Sequence, residues 1–300
     1  MVQRTQFICY HPKTILNKGK RADHWFWTRY SAYPYLGCQH GCAFCYCRER
    51  KYIPHKPLEP DAVYDVESDE FSHLIKVKEN ASILLRKALE KVERDVVFTG
   101  DYQPAERKYK ISRHMLEVCL ELGFPVFVLT RSPLVLRDLD LFKAINERSR
   151  AVVAFSIIAT PETSEYQVIS RLEGLAPLAE KRFAAMEQIA RAGILTGTVA
   201  MPLLPGLCDH DSNLQALARW TSNHGGKFVL ASSLTLADQQ KAFFLEVLQP
   251  IWWGSHRTRS GNSTSSSNTN TSTPTNGQIS AIISLSGTPA TAFSTNSTKP

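Results

Sequence analysis

The run Gly37-Cys38-Gln39-His40-Gly41-Cys42-Ala43-Phe44-Cys45-Tyr46-Cys47 places four cysteines within ten residues, and three of them, Cys38, Cys42 and Cys45, follow a C-x3-C-x2-C spacing. Three thiolates on one short loop can hold three corners of a [4Fe–4S] cube and leave the fourth iron open, whereas an electron-transfer cluster or a structural zinc site takes four protein ligands. An open iron implies chemistry at this loop. Zinc is the rival reading: Cys47 could supply a fourth thiolate, or His40 an imidazole, and the site would then be closed. Against it, zinc ligands usually come as two separated pairs, while Cys9, Cys119 and Cys208 each stand alone. On the open-iron reading Cys47 is a bystander and His40 a polar loop residue.

Outward from this loop, short apolar runs alternate with helical periodicity from about Val96 onward, the pattern of βα units and a parallel sheet. Strands are predicted near Tyr33–Gly37, Val96–Gly100, Val126–Thr130, Val152–Ile158, Leu195–Met201 and Phe228–Ala231. Helices are predicted near Ser82–Val92, Ser112–Leu122, Val135–Ile145, Glu180–Ala192, Ser212–Asn223 and Asp238–Leu248. Six such units fit an incomplete (βα)6 barrel, and the pattern also allows a full barrel or an open doubly wound sheet. In parallel α/β barrels the loops after the strands converge at one mouth, which is where a cysteine loop following the first strand would lie.

The motifs resemble a known family. Cys38, Cys42 and Cys45, with Phe44 before the last cysteine and Tyr46 after it, are similar to the signature of the radical S-adenosylmethionine (SAM) superfamily. Tyr33-Pro34-Tyr35-Leu36-Gly37, Ile15-Leu16-Asn17-Lys18 and Lys78-Glu79-Asn80 narrow the resemblance to the spore photoproduct lyase-like, or DNA repair photolyase-like, branch. It runs from about Ile15 to about Leu248. It implies an α/β fold of the incomplete (βα)6 TIM type, with a [4Fe–4S] cluster and SAM as cofactors. It also implies a one-electron donor such as a flavodoxin or ferredoxin, and reductive cleavage of SAM to a 5′-deoxyadenosyl radical that abstracts hydrogen from an unidentified substrate, nucleic acid among the candidates. The alternatives are a zinc-stabilised nucleic-acid binding module and a catalytically degenerate iron–sulfur protein.

The resemblance also assigns SAM-binding candidates. Phe44 lies inside the cysteine signature, and Thr99, Gly100 and Asp101 sit where the superfamily's glycine-rich strand would take the SAM amino group. Arg131 occupies a position where relatives usually carry lysine, Ser156 is a lone polar group in an apolar strand, and Arg171 matches a family arginine for the SAM carboxylate. Met201-Pro202-Leu203-Leu204-Pro205-Gly206 is similar to the motif that lines the adenine. The plain alternatives are an ordinary strand-to-loop turn at Gly100, a solvated Arg131, a small core residue at Ser156 and a surface ion pair between Arg171 and Glu173. Asp101-Tyr102-Gln103-Pro104-Ala105-Glu106 would bind substrate, or Glu106 would cap the next helix. One departure stands out: true spore photoproduct lyases carry a hydrogen-donating cysteine where this chain has Phe98, which argues against repair of thymine photoproducts.

The chain has 300 residues, 43% of them hydrophobic, enough for one large domain with an ample core. Seven cysteines, no secretory leader and no membrane-length apolar run predict a reducing, cytoplasmic setting without a membrane anchor. The formal charge of +7 is uneven: residues 1–60 carry ten Lys/Arg and three Asp/Glu, while residues 61–254 carry 22 and 25. Aromatic residues interleave with the N-terminal basic ones, which suits stacking on flipped or single-stranded nucleotides or, more plainly, plugging the barrel base. The expected domains are therefore a basic aromatic extension (1–31), a core (32–254) and a tail (255–300). In that tail 27 of 46 residues are Ser, Thr or Asn, so disorder is predicted there. The abrupt change of composition at Trp253-Gly254 suggests a shifted reading frame, a retained intron or a misjoined gene model, which recovery of tail peptides from the native source by mass spectrometry would refute.

Overall fold

The computed structural model describes residues 4–23, 25–53, 69–257 and 280–284, with side chains to residue 251. Its strands are β1 (Gln6–Tyr10), β2 (Leu16–Lys18), β3 (Tyr30–Ala32), β4 (Tyr35–Leu36), β5 (Leu74–Lys78), β6 (Val97–Thr99), β7 (Val126–Thr130), β8 (Ala151–Ser156), β9 (Leu195–Leu203), β10 (Phe228–Ser233) and β11 (Ser280–Ser284). Its helices are α1 (Glu70–His73), α2 (Ala81–Leu89), α3 (Glu106–Tyr109), α4 (Ile111–Leu122), α5 (Leu139–Arg148), α6 (Tyr166–Leu172), α7 (Ala179–Arg191), α8 (Asp211–Asn223) and α9 (Asp238–Arg257).

Six strands, β3, β6, β7, β8, β9 and β10, lie side by side in that order, every neighbouring pair parallel. Antiparallel strands flank them, β2 on β3 and β11 on β10, and among the described residues β2 and β11 do not pair with each other, so the barrel is incomplete. Parallel strands covered on both faces read as continuous apolar runs rather than alternating ones. Val-Phe-Val-Leu-Thr in β7 and Ala-Val-Val-Ala-Phe-Ser in β8 follow that rule. Val126, Val128, Val153 and Phe155 pack in the cluster that includes the helices, while Phe98, Phe127, Ala154, Val199 and Leu230 form the barrel interior.

Several boundaries shift from their expected places. The first barrel strand is Tyr30–Ala32, whereas Tyr35–Leu36 joins a separate three-stranded sheet in the order β1-β5-β4. Pro34 between the two segments has no N–H for a continuous ladder. α5 begins at Leu139 because Pro133–Asp138 forms a 3-10 turn, capped by Ser132 accepting from the Leu134 N–H at 3.2 Å. Stretch 1–31 is woven into both sheets through β1, β2 and the first residues of β3. Most of the tail expected to be disordered, 258–279 and 285–300, lies outside the described residues, and its described part holds the end of α9 and a strand paired to β10. Among the described residues no helix is long and apolar enough to cross a membrane.

The barrel base is closed by Phe26, whose ring lies 4.8 Å from that of Phe98 and 5.3 Å from that of Phe127. Asp23 shapes this loop by accepting the N–H groups of Trp25, Phe26 and Thr28 at 2.8, 2.7 and 3.0 Å. The plugging reading of the N-terminal aromatics holds for Phe26.

Candidate active site

The cysteine loop sits beyond the C-terminal ends of the strands and is fixed through its backbone. On its first half, Gln103, fully buried, donates to the Gly37 carbonyl at 3.1 Å and accepts the Gln39 N–H at 3.0 Å. In the middle, the end of α6 docks on it: the Ala43 N–H donates to the Leu172 carbonyl at 2.8 Å and the Leu175 N–H to the His40 carbonyl at 2.7 Å. Gly174, at φ +62°, permits this approach, since a Cβ there would lie 2.5 Å from the His40 oxygen. On the far side, α9 supplies Gln240 Nε2 to the Phe44 carbonyl at 3.1 Å and Gln239 Nε2 to the Arg48 carbonyl at 3.0 Å.

Three neutral amides thus orient the loop without adding charge. Gln103→Leu would strand the Gly37 carbonyl and the Gln39 N–H at a loss of about 1–3 kcal/mol. The expected result is a lower melting temperature of the apoprotein and faster iron release to a chelator, with all cysteines intact.

The electrostatics of the loop pull in two directions, burial opposing ionisation of the thiols and two arginines favouring it. Burial, reinforced by the Cys42 and Cys45 thiols, raises Cys38 well above the ordinary thiol range, and burial raises Cys42. Cys45 is held down to about 7, first by a hydrogen bond from the Cys47 thiol and also by Arg48 and Arg131. Cys47 is the neighbour that lowers Cys45, and it is itself raised, first by Cys45 and then by burial. Arg48 is buried, donates Nε to the Cys42 carbonyl at 2.9 Å and pairs with Asp69, its guanidinium lying 3.7 Å from the Phe243 ring centre. Arg131 lies 5.2 Å from the Phe44 ring centre.

Soft sulfur donors within a buried cationic surround suit an iron–sulfur cluster, whose thiolates must be ionised and whose charge needs compensation. Among the described residues no group of three or more His, Cys, Asp or Glu is gathered as a metal would hold them, which applies to the three thiols of the loop as much as to a closed zinc set.

The other candidates distribute unevenly. Thr99 ends β6 at the mouth with its Oγ1 buried and unpartnered. Gly100 is required by packing rather than by a ligand: a Cβ there would fall 1.8 Å from the Leu129 oxygen of β7. Asp101 is half-buried, and burial pushes its carboxyl up to about 6 against the opposing pull of Lys78. Lys78 donates to the Tyr33 carbonyl at 2.7 Å. Ser156 ends β8, buried, its carbonyl accepting from Arg182 at 2.7 Å. β9 continues to Leu203, and Met201 packs on the interior cluster.

Arg171 is exposed on the last turn of α6 and among the described residues has no ion-pair partner. The residue missed by sequence reasoning is Glu173. It is buried between Arg131 and Arg182, bonded to both, and its carbonyl accepts from the Cys42 thiol at 3.3 Å. Burial would raise its carboxyl, but the two guanidiniums hold it below the usual carboxylate range. His40, buried beside them, is lowered to about 4 by burial first and then by Arg131 and Arg182, so it is neutral.

Glu106 turns out to be structural: it accepts the Ser112 N–H that opens α4 at 2.7 Å and the Tyr35 hydroxyl at 2.6 Å, and pairs with Arg137 at 2.9 Å. Tyr102 donates to Asp138 at 2.9 Å. Of that segment Gln103 holds the cysteine loop and Asp101 acts on the charge of Cys38 and Cys47.

A family model described as the radical SAM superfamily matches residues 33–217. An uncharacterised protein of Mycobacterium bovis is 26% identical over 225 residues, spanning 72% of this chain and 62% of that protein. A radical SAM Nalpha-GlyT isomerase of Pseudomonas phage M6 is 26% identical over 226 residues, spanning 72% and 42%. The chain thus spans about three fifths or less of the length of these curated relatives. Among solved structures, a spore photoproduct lyase mutant with bound AdoMet and dinucleoside spore photoproduct superposes with a TM-score of 0.52 at 15% identity, covering 81% of this chain and 66% of that one, a likeness of fold.

Proposed function

The chain belongs to the radical SAM superfamily, and from that premise we propose that Cys38, Cys42 and Cys45 ligate three irons of its cluster while the strand ends hold SAM against the fourth. The superfamily's cofactors are a [4Fe–4S] cluster and SAM, and these are the cofactors of this chain. Bound together they supply a one-electron reductive cleavage that yields a 5′-deoxyadenosyl radical able to abstract hydrogen. The observation that carries the reading is the loop of three cysteines, Cys42 buried and Cys38 and Cys45 half-buried, beside Arg48 and Arg131 at the barrel mouth.

The protein's own groups bind and orient. Asp101, with Thr99 beside it, takes the SAM ammonium, whose charge offsets the burial that otherwise raises the carboxyl. Arg171, lacking a partner among the described residues, is available to the SAM carboxylate. Arg131 over Phe44 is committed to Glu173 and acts on cluster charge. Ser156 and the segment after Met201 line the adenine side. A flavodoxin- or ferredoxin-type protein delivers the electron.

Substrate hydrogen abstraction makes this an enzyme, and nucleic acid is the substrate class the mouth supports best. Tyr46 and Tyr52 are exposed there at 5.6 Å, edge to face, with the Lys51 ammonium 4.8 Å from the Tyr52 ring centre, a platform for base stacking. Photoproduct repair is not part of the proposal, because Phe98 is stacked on Phe127 inside the barrel and offers no thiol.

Anaerobic reconstitution followed by dithionite-driven turnover is expected to give 5′-deoxyadenosine from SAM, with Asp101→Asn raising the SAM concentration for half-maximal rate by about tenfold or more. Bound zinc, or iron without deoxyadenosine, would move the protein to the binding or degenerate alternatives.

A further inference from the structure

At the opposite end of the barrel, beneath Phe26, lies a cavity of about 370 Å³ with an almost entirely apolar wall. Phe26, Trp27, Phe127, Leu195 and Phe228 line it, and Arg150 stands at its lip. Two of these residues are unusual for an apolar wall. Trp27 is 55% exposed and held at φ +50°, a conformation that bulky residues seldom adopt. Leu195 opens β9 at 38% exposure. The Asp23 bonds that fold this loop therefore hold a large indole at an open rim rather than in the core.

Arg150 is exposed, and among the described residues its guanidinium has no acidic partner. Among the described residues it is the only charged one in the cavity wall. Cationic side chains are normally either solvated away from apolar surface or paired. An arginine with no acidic partner among the described residues, in the wall of an aromatic-lined pocket of small-ligand size, matches a ligand with one apolar body and one anionic head.

We propose that the barrel base is a second binding site, separate from the cysteine mouth, for a single-headed amphiphilic anion such as an aromatic or medium-chain aliphatic carboxylate. The apolar body enters between Phe26, Phe127 and Phe228, Trp27 and Leu195 cover its flank, and Arg150 takes the anionic head. The cavity volume admits roughly a dozen to twenty non-hydrogen atoms, the range of small bound ligands.

The test uses the full reconstituted chain and anilinonaphthalene sulfonate, a fluorescent probe with an aromatic body and one sulfonate. One saturable site per chain is expected, displaced by decanoate and at least about tenfold less well by decanol, with Arg150→Gln weakening the probe by a similar factor. Leu195→Trp, which fills the opening, is expected to abolish binding while leaving iron content and deoxyadenosine production unchanged, so the result is independent of the fate of the mouth. Decanol competing as well as decanoate, or probe binding indifferent to both Arg150→Gln and Leu195→Trp, would overturn the assignment. So would a lack of saturable binding to the full chain.

Discussion

Alanine at Cys38, Cys42 or Cys45 is expected to lower bound iron from about four per chain to background and to abolish deoxyadenosine formation, while Cys47→Ala keeps both. A cluster anchored on three thiolates tolerates the loss of none, since two sulfurs leave two irons without protein ligands. Cys47 differs in kind. Its thiol donates to the sulfur of Cys45, so it acts on a ligand rather than as one. Removing that donor should shift the reduction potential and leave the cluster assembled. Iron and sulfide analysis with electron paramagnetic resonance of the reduced protein checks both arms. Loss of the cluster in Cys47→Ala, or its survival in Cys42→Ala, would show that the ligand set has been misassigned.

The contrast between Cys45 and Cys47 marks how far the sequence could be read. Spacing separates three cysteines from the fourth because ligand geometry on a short loop is local. What the fourth does depends on the turn Tyr46–Arg48 that carries it, which spacing does not announce. The later five βα units were legible for the same reason: runs such as 126–130 and 151–156 are long, apolar and bounded by helical periodicity. β1 and β5 were not, because a three-stranded side sheet with a largely exposed first strand lacks the buried run that marks a barrel strand.

Among candidate ligands the sequence favoured Arg171, and the chain buries its neighbour instead. Whether a polar residue at a helix end points outward or inward is settled by a tertiary partner far along the chain. Arg182 lies on a later helix and Arg131 just past the end of an earlier strand, so nothing near Arg171-Leu172-Glu173 announces the network. Glu106 shows the same limit, since the Tyr35 hydroxyl and Arg137 that complete its contacts come from distant segments.

Glu173→Gln is expected to destabilise the apoprotein by about 3–5 kcal/mol, a large part of the stability of an ordinary domain. The carboxylate is buried between two guanidiniums, and Arg182 is itself fully buried, so the neutral amide leaves positive charge uncompensated where water cannot reach it. Repulsion between Arg131 and Arg182 adds to the loss. The damage should extend to the cysteine loop, because Gly174 and Leu175 follow directly and hold His40. Removing charge on both sides separates the cause: Glu173→Leu combined with Arg182→Met should be less destabilised than Glu173→Gln alone, as buried ion groups replaced together by apolar ones often are. Arg171→Ala, at an exposed and unpaired position, should stay within about 0.5 kcal/mol of the parent protein. Urea unfolding of the four proteins measures these differences directly. A Glu173→Gln variant within about 1 kcal/mol of the parent would mean that solvent reaches the network and that the cationic surround of the cysteine loop is not held by this carboxylate.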